Sequence, residues 1–363
     1  MTEPVFALFA GGGTGGHTYP AVAVAQELVR RGRPRESLRF VGGTRGIEGR
    51  VVPEAGFAID LLPGRGLQRR LTVANVAAIA GALAAFVHAL VLVRRYRPRV
   101  VVGFGGYASL PCVAAARMWR VPTLVHEQDA APGLANRIGV RLGARAAVSL
   151  PETPLPGATL TGNPVRSTML AVEREPARDP AVLAVFGGAQ GARTINRAAI
   201  GCYDRWRARR DVAVHHVCGP RNLDECRASL GAQRRDGDGL VYDLVPYETH
   251  MEALLARAAL AVCRAGAGTV AELTVVGVPA VLVPLPGSPS DHQARNAQTL
   301  EAAGAAVVLR DQECDPARLD RVVTDLLGEP EQLVQMGKAA RSLGRPDAAA
   351  RVADLVEEHA RAG

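Results

Sequence analysis

The residues of this chain best suited to chemistry gather at glycine-rich turns. VFALFAGGGTGGHTYPAVAVA (Val5 to Ala25) and AVLAVFGGAQGARTIN (Ala181 to Asn196) each spell an apolar strand, a glycine loop and a helix start. Lost Cβ atoms let a ligand approach backbone N–H groups, and a helix N-terminus adds partial positive charge, so each loop suits a phosphate. Two such loops predict two phosphorylated ligands meeting in a cleft. His17 follows the first loop directly, where an imidazole suits proton transfer near neutral pH; capping or packing at the helix start is the competing use. Gly103-Phe104-Gly105-Gly106-Tyr107 and His126-Glu127-Gln128-Asp129 also end strands. Ligands of open parallel sheets bind beyond strand carboxyl ends, so Tyr107 and Glu127 join His17 on one predicted rim. Their plainer uses are a tyrosine that packs and a carboxylate that caps.

In the second half, CRAGAGTVAEL (Cys263 to Leu273) is another strand-end glycine loop, leading to a helix expected from about Thr269 with Glu272 in its first turn. A carboxylate there can accept two hydrogen bonds from a ribose diol while loop N–H groups hold a pyrophosphate, as a nucleotide sugar requires. Stabilisation of the helix start by negative charge is the alternative. PGSPSDHQARNAQ (Pro286 to Gln298) offers Asp291, His292, Gln293 and Asn296 to sugar hydroxyls, or is simply a polar helix start. No carboxylate pair reads as a metal site: Asp236-Gly237-Asp238 lies in RRDGDG, a turn sequence. Without Mg²⁺, a departing diphosphate would rely on helix N-termini and arginines such as Arg166 or Arg264. Gly11, Gly13 and Gly16 also match GxGxxG, yet the second strand ends Val41-Gly42-Gly43-Thr44-Arg45 without the ribose-binding carboxylate of a dinucleotide site. Arg45 as a 2′-phosphate ligand keeps an oxidoreductase as a lower-ranked reading.

These motifs need elements to carry them. At 363 residues the chain suits two α/β domains, with one glycine loop in each half. Strands are expected at Val5–Ala10, Leu38–Val41, Arg99–Val102, Thr123–His126 and Ala146–Ser149, then at Val182–Phe186, Val212–Val217, Leu240–Leu244, Leu260–Cys263 and Ala280–Val283. Alternation with helices implies parallel sheets. PETPLPGATLTGNPV (Pro151 to Val165) reads as the hinge, and a last helix is expected over Asp347 to His359. The net charge of +8 is nearly all arginine, since Lys338 is the only lysine. With 4% aromatic residues and no basic stretch with interleaved aromatics, nucleic acid is excluded as a partner. Six scattered cysteines without metal spacing read as reduced cytosolic thiols, and the apolar start reads as a first strand and not a signal peptide.

Val76 to Val93 is uncharged and near the shortest spanning length. Ile79, Leu83, Phe86, Leu90 and Val93 form one helical stripe, with Ala78, Ala82, Ala85 and Ala89 elsewhere, so a packed helix is favoured over a span. Arginines crowd both ends, in RGLQRR (Arg65 to Arg70) and RRYRPR (Arg94 to Arg99), which suits either an anionic bilayer surface or a buried crossover helix with solvated ends.

GGGTGGH, GFGGYAS, HEQ followed by PGLANR, TGNPVR, FGGAQGAR, CRAGAGTVAEL and DHQARNA, in this order, resemble the MurG family of glycosyltransferase family 28. Its members are the UDP-N-acetylglucosamine:lipid I N-acetylglucosaminyltransferases of bacterial peptidoglycan synthesis. The resemblance runs from Gly11 to about Ala306. It implies an α/β GT-B fold: two facing Rossmann-like doubly wound domains with parallel sheets and an interdomain cleft. Residues 1–163 would be the acceptor and membrane-associating domain, 164–345 the UDP-GlcNAc domain, and 346–363 a helix packing back toward the first. The implied activity is inverting, cofactor-free transfer of GlcNAc to the MurNAc 4-hydroxyl of undecaprenyl-pyrophosphoryl-MurNAc-pentapeptide, peripherally at the cytoplasmic face of the cell membrane. The resemblance puts Thr14, Gly15, Gly16, Arg166, Ala189, Val245, Arg264, Ala267, Gly268, Thr269, Val270, Ala271, Glu272 and Gln293 at the donor. Glu272 would hold the ribose, Gln293 the GlcNAc hydroxyls and the backbone near Val245 the uracil. His17 as base, Tyr107, Glu127 and Asn136 would serve the acceptor. Asp129 stands where the family usually has asparagine, adding a charge near the sugar, and Ala189 replaces a usual serine. A soluble small-molecule acceptor, or a non-catalytic nucleotide-sugar-binding membrane scaffold, are the alternatives.

Overall fold

The computed structural model describes residues 5–63, 73–151, 153–176 and 179–361, with only the backbone path for 73–80. The arginines of RGLQRR lie outside the described residues. The chain divides into two units, Met1–Arg166 with Arg345–Gly363, and Ser167–Gly344.

The first unit holds seven parallel strands: β1 (Ala7–Ala10), β2 (Leu38–Gly43), β3 (Ala58–Leu62), β4 (Val100–Gly103), β5 (Thr123–Glu127), β6 (Arg145–Val148) and β7 (Thr159–Leu160), in the order β3-β2-β1-β4-β5-β6-β7. Parallel neighbours need long crossovers, which the helices between them supply. β1 pairs with Leu38–Val41 on one side and Val100–Gly103 on the other, so the loops after β1, β2 and β4 leave the sheet together. Phe9 stacks on Phe40 at 5.1 Å between ring centroids, and Phe40 meets Phe57 at 5.3 Å, beneath the helix Gly15–Arg30. The helix Ala348–Arg361 packs on that helix, pinned by Arg31 to Asp354 at 2.6 Å and Arg33 to Glu357 at 2.9 Å.

Three features of this unit depart from the sequence expectations. β3 was not expected, because Asp60 interrupts its apolar run; the carboxylate is accommodated at the sheet edge by Arg39 at 2.9 Å and the Tyr96 hydroxyl at 3.0 Å. β7 forms inside the segment expected to be a hinge, pairing Leu160 with Val148. In the helix Val73–Tyr96, Ala85 and Ala89 are fully buried beside Leu92 and Val93, with Phe86 and Leu90 partly buried against the same core, while Leu83 is 63% exposed, Val87 52% and Val91 57%, so two alanines join most of the described apolar stripe on the inward face. Small side chains explain why the alanines face inward as well: Ala85 and Ala89 meet Cys112, Ala115 and Ala116 of the helix Ser109–Met118, a seam that lets the two backbones approach closely. No helix among the described residues is long and apolar enough to cross a membrane.

The second unit holds six parallel strands: β8 (Ala181–Phe186), β9 (Val212–Val217), β10 (Val241–Val245), β11 (Ala258–Cys263), β12 (Ala280–Leu282) and β13 (Ala306–Val308), in the order β10-β9-β8-β11-β12-β13. β13, three residues long, carried too little pattern to be expected. Buried Trp206 donates to Asp320 at 2.6 Å, and the Tyr203 hydroxyl to Asp238 at 3.0 Å. Asp238 also accepts from Arg207 at 3.1 Å and from the Arg235 N–H at 2.9 Å, so this aspartate anchors its turn.

Candidate active site

In the first unit, the loop after β1 bends through Gly12 (φ 147°) and Gly13 (φ 90°), backbone that side chains rarely tolerate, and the helix begins at Gly15 with Thr14 at its N-cap. The loop's anion is built in. Glu48, only 2% exposed, accepts the Gly13 N–H on Oε2 at 2.8 Å and the Gly43 N–H on Oε1 at 2.8 Å. A Cβ on Gly12 or Gly46 would overlap this carboxylate and one on Gly42 the Cγ of the same side chain, so three glycines clear its seat. Of the N–H groups in this glycine loop, that of Gly13 is thus taken by a carboxylate of the chain itself. The β2 end lacks a carboxylate in sequence, but Glu48 reaches back to it.

His17 lies on the first turn of its helix with Nδ1 3.0 Å from the Gly12 carbonyl oxygen and 3.4 Å from the Thr14 hydroxyl. A carbonyl only accepts, so Nδ1 carries the hydrogen and, in the neutral ring, Nε2 carries the lone pair. The turn after β4 approaches from the side: a Cβ on Gly106 would overlap the Gly12 carbonyl, and one on Gly105 would stand 3.1 Å from Nε2 of His17. Tyr107 points away, donating its hydroxyl to the carbonyls of Pro63 at 2.8 Å and Gly81 at 2.9 Å, and burial raises its pKa above 10.

Glu127 and Asn136 form one buried pair. The Glu127 carboxylate accepts the Asp129 N–H at 3.1 Å, the Gly133 N–H at 2.9 Å and the Asn136 amide at 2.9 Å. Burial pushes its pKa up, and those three donors only partly oppose the shift. The carboxylate therefore shapes its own loop. Asn136 also donates to the His126 carbonyl at 3.1 Å, while its Oδ1 is buried with no hydrogen-bond partner among the described residues. Asp129 is half-buried. Arg166 closes this unit, its guanidinium 5.6 Å over the Tyr19 ring.

In the second unit, the loop after β8 turns through Gly188 and Gly191 at φ 78° and 72°, leaving Ala189 exposed before the helix Arg193–Gly201. A Cβ on Gly191 would overlap the Cys218 carbonyl. That carbonyl is gripped by the amides of Asn196 at 2.9 Å and Asn222 at 2.8 Å, and Asn222 also holds the Gln190 carbonyl at 3.0 Å. Behind them, His216 bridges Asn196 at 3.0 Å and Tyr242 at 2.8 Å. None of these supports was expected from sequence; two asparagines and a strand histidine give no local signal. The Val245 carbonyl accepts the Cys218 N–H at 3.0 Å, which ties it to the end of β9.

The third glycine loop starts its helix at Ala267, two residues earlier than expected, with Gly266 as N-cap. The N–H groups of Gly268 and Thr269 thus belong to the first turn, without acceptors inside the helix. Glu272 is a half-buried sixth residue, two positions further in than expected. Arg264 corrects a sequence expectation: its guanidinium donates to Val283 at 3.0 Å, Pro284 at 3.2 Å and Asp311 at 2.5 Å, and does not reach out toward a phosphate. Asp311 also accepts the Thr194 hydroxyl at 3.1 Å, tying the second and third loops together. Asn296 is fully buried and donates to the Ala265 carbonyl at 3.0 Å, again a support and not a sugar contact. Gln293 accepts the Leu285 N–H at 3.0 Å on Oε1, which aims its amide nitrogen as the group on offer.

Comparison with known proteins agrees with this frame. Residues 7–148 match the glycosyltransferase family 28 N-terminal domain, and residues 182–352 the family 28 C-terminal domain. Two curated relatives, from Desulforudis audaxviator and Alkalilimnicola ehrlichii, are 40% and 42% identical over 98% and 99% of this chain and 99% and 100% of their own. Both carry the name UDP-N-acetylglucosamine–N-acetylmuramyl-(pentapeptide) pyrophosphoryl-undecaprenol N-acetylglucosamine transferase. The crystal structure of Acinetobacter baumannii MurG matches with a TM-score of 0.79 at 29% identity, covering 98% of this chain and 100% of that one.

Proposed function

Because this chain belongs to the MurG family of glycosyltransferase family 28 and has its GT-B fold, we propose that it transfers GlcNAc from UDP-GlcNAc to undecaprenyl-pyrophosphoryl-MurNAc-pentapeptide, giving lipid II. The observation that carries this reading is near-end-to-end identity of about two residues in five with enzymes of that name. The site geometry supports the following roles. His17 takes the proton of the MurNAc 4-hydroxyl on Nε2 as the oxygen bonds to the anomeric carbon and the bond to UDP breaks. A single displacement of this kind inverts the centre and yields a β-1,4 link. The leaving diphosphate gains negative charge, met by the N–H groups at the start of the helix Ala267–Val276 and at the loop Gly187–Gly191. Glu272 accepts from the ribose and the Gln293 amide nitrogen donates to the sugar. The buried, unsatisfied Oδ1 of Asn136 favours a hydroxyl donor on the acceptor.

The acceptor is lipid-linked, and among the described residues the outward row Leu83, Val87 and Val91 suits the surface of an anionic bilayer. Trp119, bonded to the Leu90 carbonyl at 3.2 Å, extends it, with Arg94 5.0 Å from its ring to meet headgroups. The protein then works peripherally on the cytoplasmic face.

The test supplies UDP-GlcNAc and a lipid I analogue to the wild type and to His17→Ala and Glu272→Ala. Loss of roughly a hundredfold in turnover is expected from removing the base. Unchanged turnover in both variants overturns the site assignment, and transfer only to water-soluble acceptors overturns the lipid substrate.

A further inference from the structure

Glu48 and His17 hold opposite ends of the same peptide group. The Gly13 N–H that donates to Glu48 Oε2 at 2.8 Å and the Gly12 carbonyl that faces His17 Nδ1 at 3.0 Å belong to the single peptide unit joining Gly12 to Gly13. In a trans peptide these two bonds point in opposite directions, so the atoms run carboxylate, H–N–C=O, H–Nδ1. We infer that Glu48 is the positioning residue of the base: a carboxylate that acts on the imidazole through one backbone peptide. The inference rests on the role given to His17 above.

The physics has two parts. A negative charge on the N–H side draws electron density toward the carbonyl oxygen, because hydrogen bonds in series polarise one another. A more negative carbonyl holds Nδ1–H more firmly, which keeps the lone pair on Nε2 and favours the imidazolium that forms when the acceptor proton arrives. The second part is geometric. Gly12 and Gly13 occupy backbone that a free loop would leave, and the carboxylate, also tied to Gly43 at 2.8 Å, fixes that peptide against the end of β2. Burial strengthens both, since Glu48 has almost no contact with solvent. The glycines at 12, 42 and 46 are explained together: each makes room for the Glu48 side chain.

The same contact assigns the first glycine loop a task different from that of the second. Its Gly13 N–H is satisfied internally, so the loop serves to hold a base and not to grip a phosphate by that group.

The test uses full-length wild type, Glu48→Gln and Glu48→Ala, all labelled with ¹⁵N-histidine. In the wild type the His17 nitrogen shifts should report the Nδ1–H tautomer; in both variants they should move toward a mixture. Turnover should fall about two- to fivefold, the size of a 10–30% weakening of a charge-assisted hydrogen bond, with KM for UDP-GlcNAc within about twofold. Formate, which refills the vacated seat in Glu48→Ala, should restore a measurable part of the turnover and of the tautomer signature. Retention of both the tautomer and the turnover in Glu48→Gln overturns the inference. So does a Glu48→Ala protein whose histidine spectrum is otherwise native and whose turnover formate leaves untouched. A wild type that shows the tautomer but transfers nothing overturns the functional reading instead, and leaves the carboxylate–peptide–imidazole contact standing.

Discussion

Acidification from pH 7 to pH 5 should loosen both units, each through one imidazole. His126 in the first unit and His216 in the second are fully buried, and burial lowers each pKa from 6.5 to about 4. The hydrogen bonds fix the same neutral form. Nε2–H of His126 donates to the Gly162 carbonyl at 3.0 Å while the Gln128 amide donates to its Nδ1 at 3.1 Å. Nε2–H of His216 donates to Asn196 Oδ1 at 3.0 Å, and its Nδ1 accepts the Tyr242 hydroxyl at 2.8 Å. On unfolding, each ring takes up protons below pH 6.5 that the folded chain refuses until about pH 4. The stability these groups contribute is therefore full above 6.5 and is lost as pH falls toward 4. Integrating the proton difference gives a loss of about 2 kcal/mol per histidine between pH 7 and pH 5. The salt-bridged carboxylates Glu27 and Asp211, lowered chiefly by Arg30 and Arg209, start from 4.5 and 3.8 and lose their contribution below this window. Urea unfolding at the two pH values, followed by amide exchange in each unit, measures the effect. His216→Gln should flatten the response of the second unit alone, His126→Gln that of the first. A wild type equally stable at both pH values, or variants that keep the full slope, would refute the reasoning.

Gly191→Ala should cost about 1 kcal/mol for its left-handed backbone and about 2 kcal/mol more for the overlap with the Cys218 carbonyl, which two asparagines hold in place. Donor affinity, read by titration calorimetry with UDP-GlcNAc, should drop with it, since the same loop is bent out of shape. Leu83→Asp with Val87→Asp should weaken binding to phosphatidylglycerol vesicles at least tenfold, two exposed apolar side chains having been removed from the contact. Wild-type binding should itself fall with salt, because the arginine contribution is screened; vesicle sedimentation over a salt series checks both.

The local grammar of this protein is plain in its amino-acid order. β1, β4, β8 and β11 are apolar runs buried along their length, and a short run that ends in glycines before a helical stretch has few other places to go. The two parallel sheets and the strand-end glycine loops follow from patterns within about thirty residues, and the family resemblance from seven short motifs in order along the chain. Helix starts were legible only to within a turn, which is why Glu272 moved two residues along its helix.

What folding decided lies in partners far apart in the chain. Glu48 reaches Gly13 across 35 positions and Asp311 reaches Arg264 across 47, and neither pairing leaves a trace in spacing. Arg264 and Asn296 look like ligand groups in a list of residues, yet their hydrogen bonds are spent inside the loops they support. The helix Val73–Tyr96 has apolar residues on every side, so periodicity could not choose its inward face; the close approach of a neighbouring alanine-rich helix chose it. Sequence set which residues sit at the ends of strands, because that depends on short-range pattern. Tertiary structure set which of those residues remain for a ligand, because a buried polar group must find a partner wherever the chain brings one.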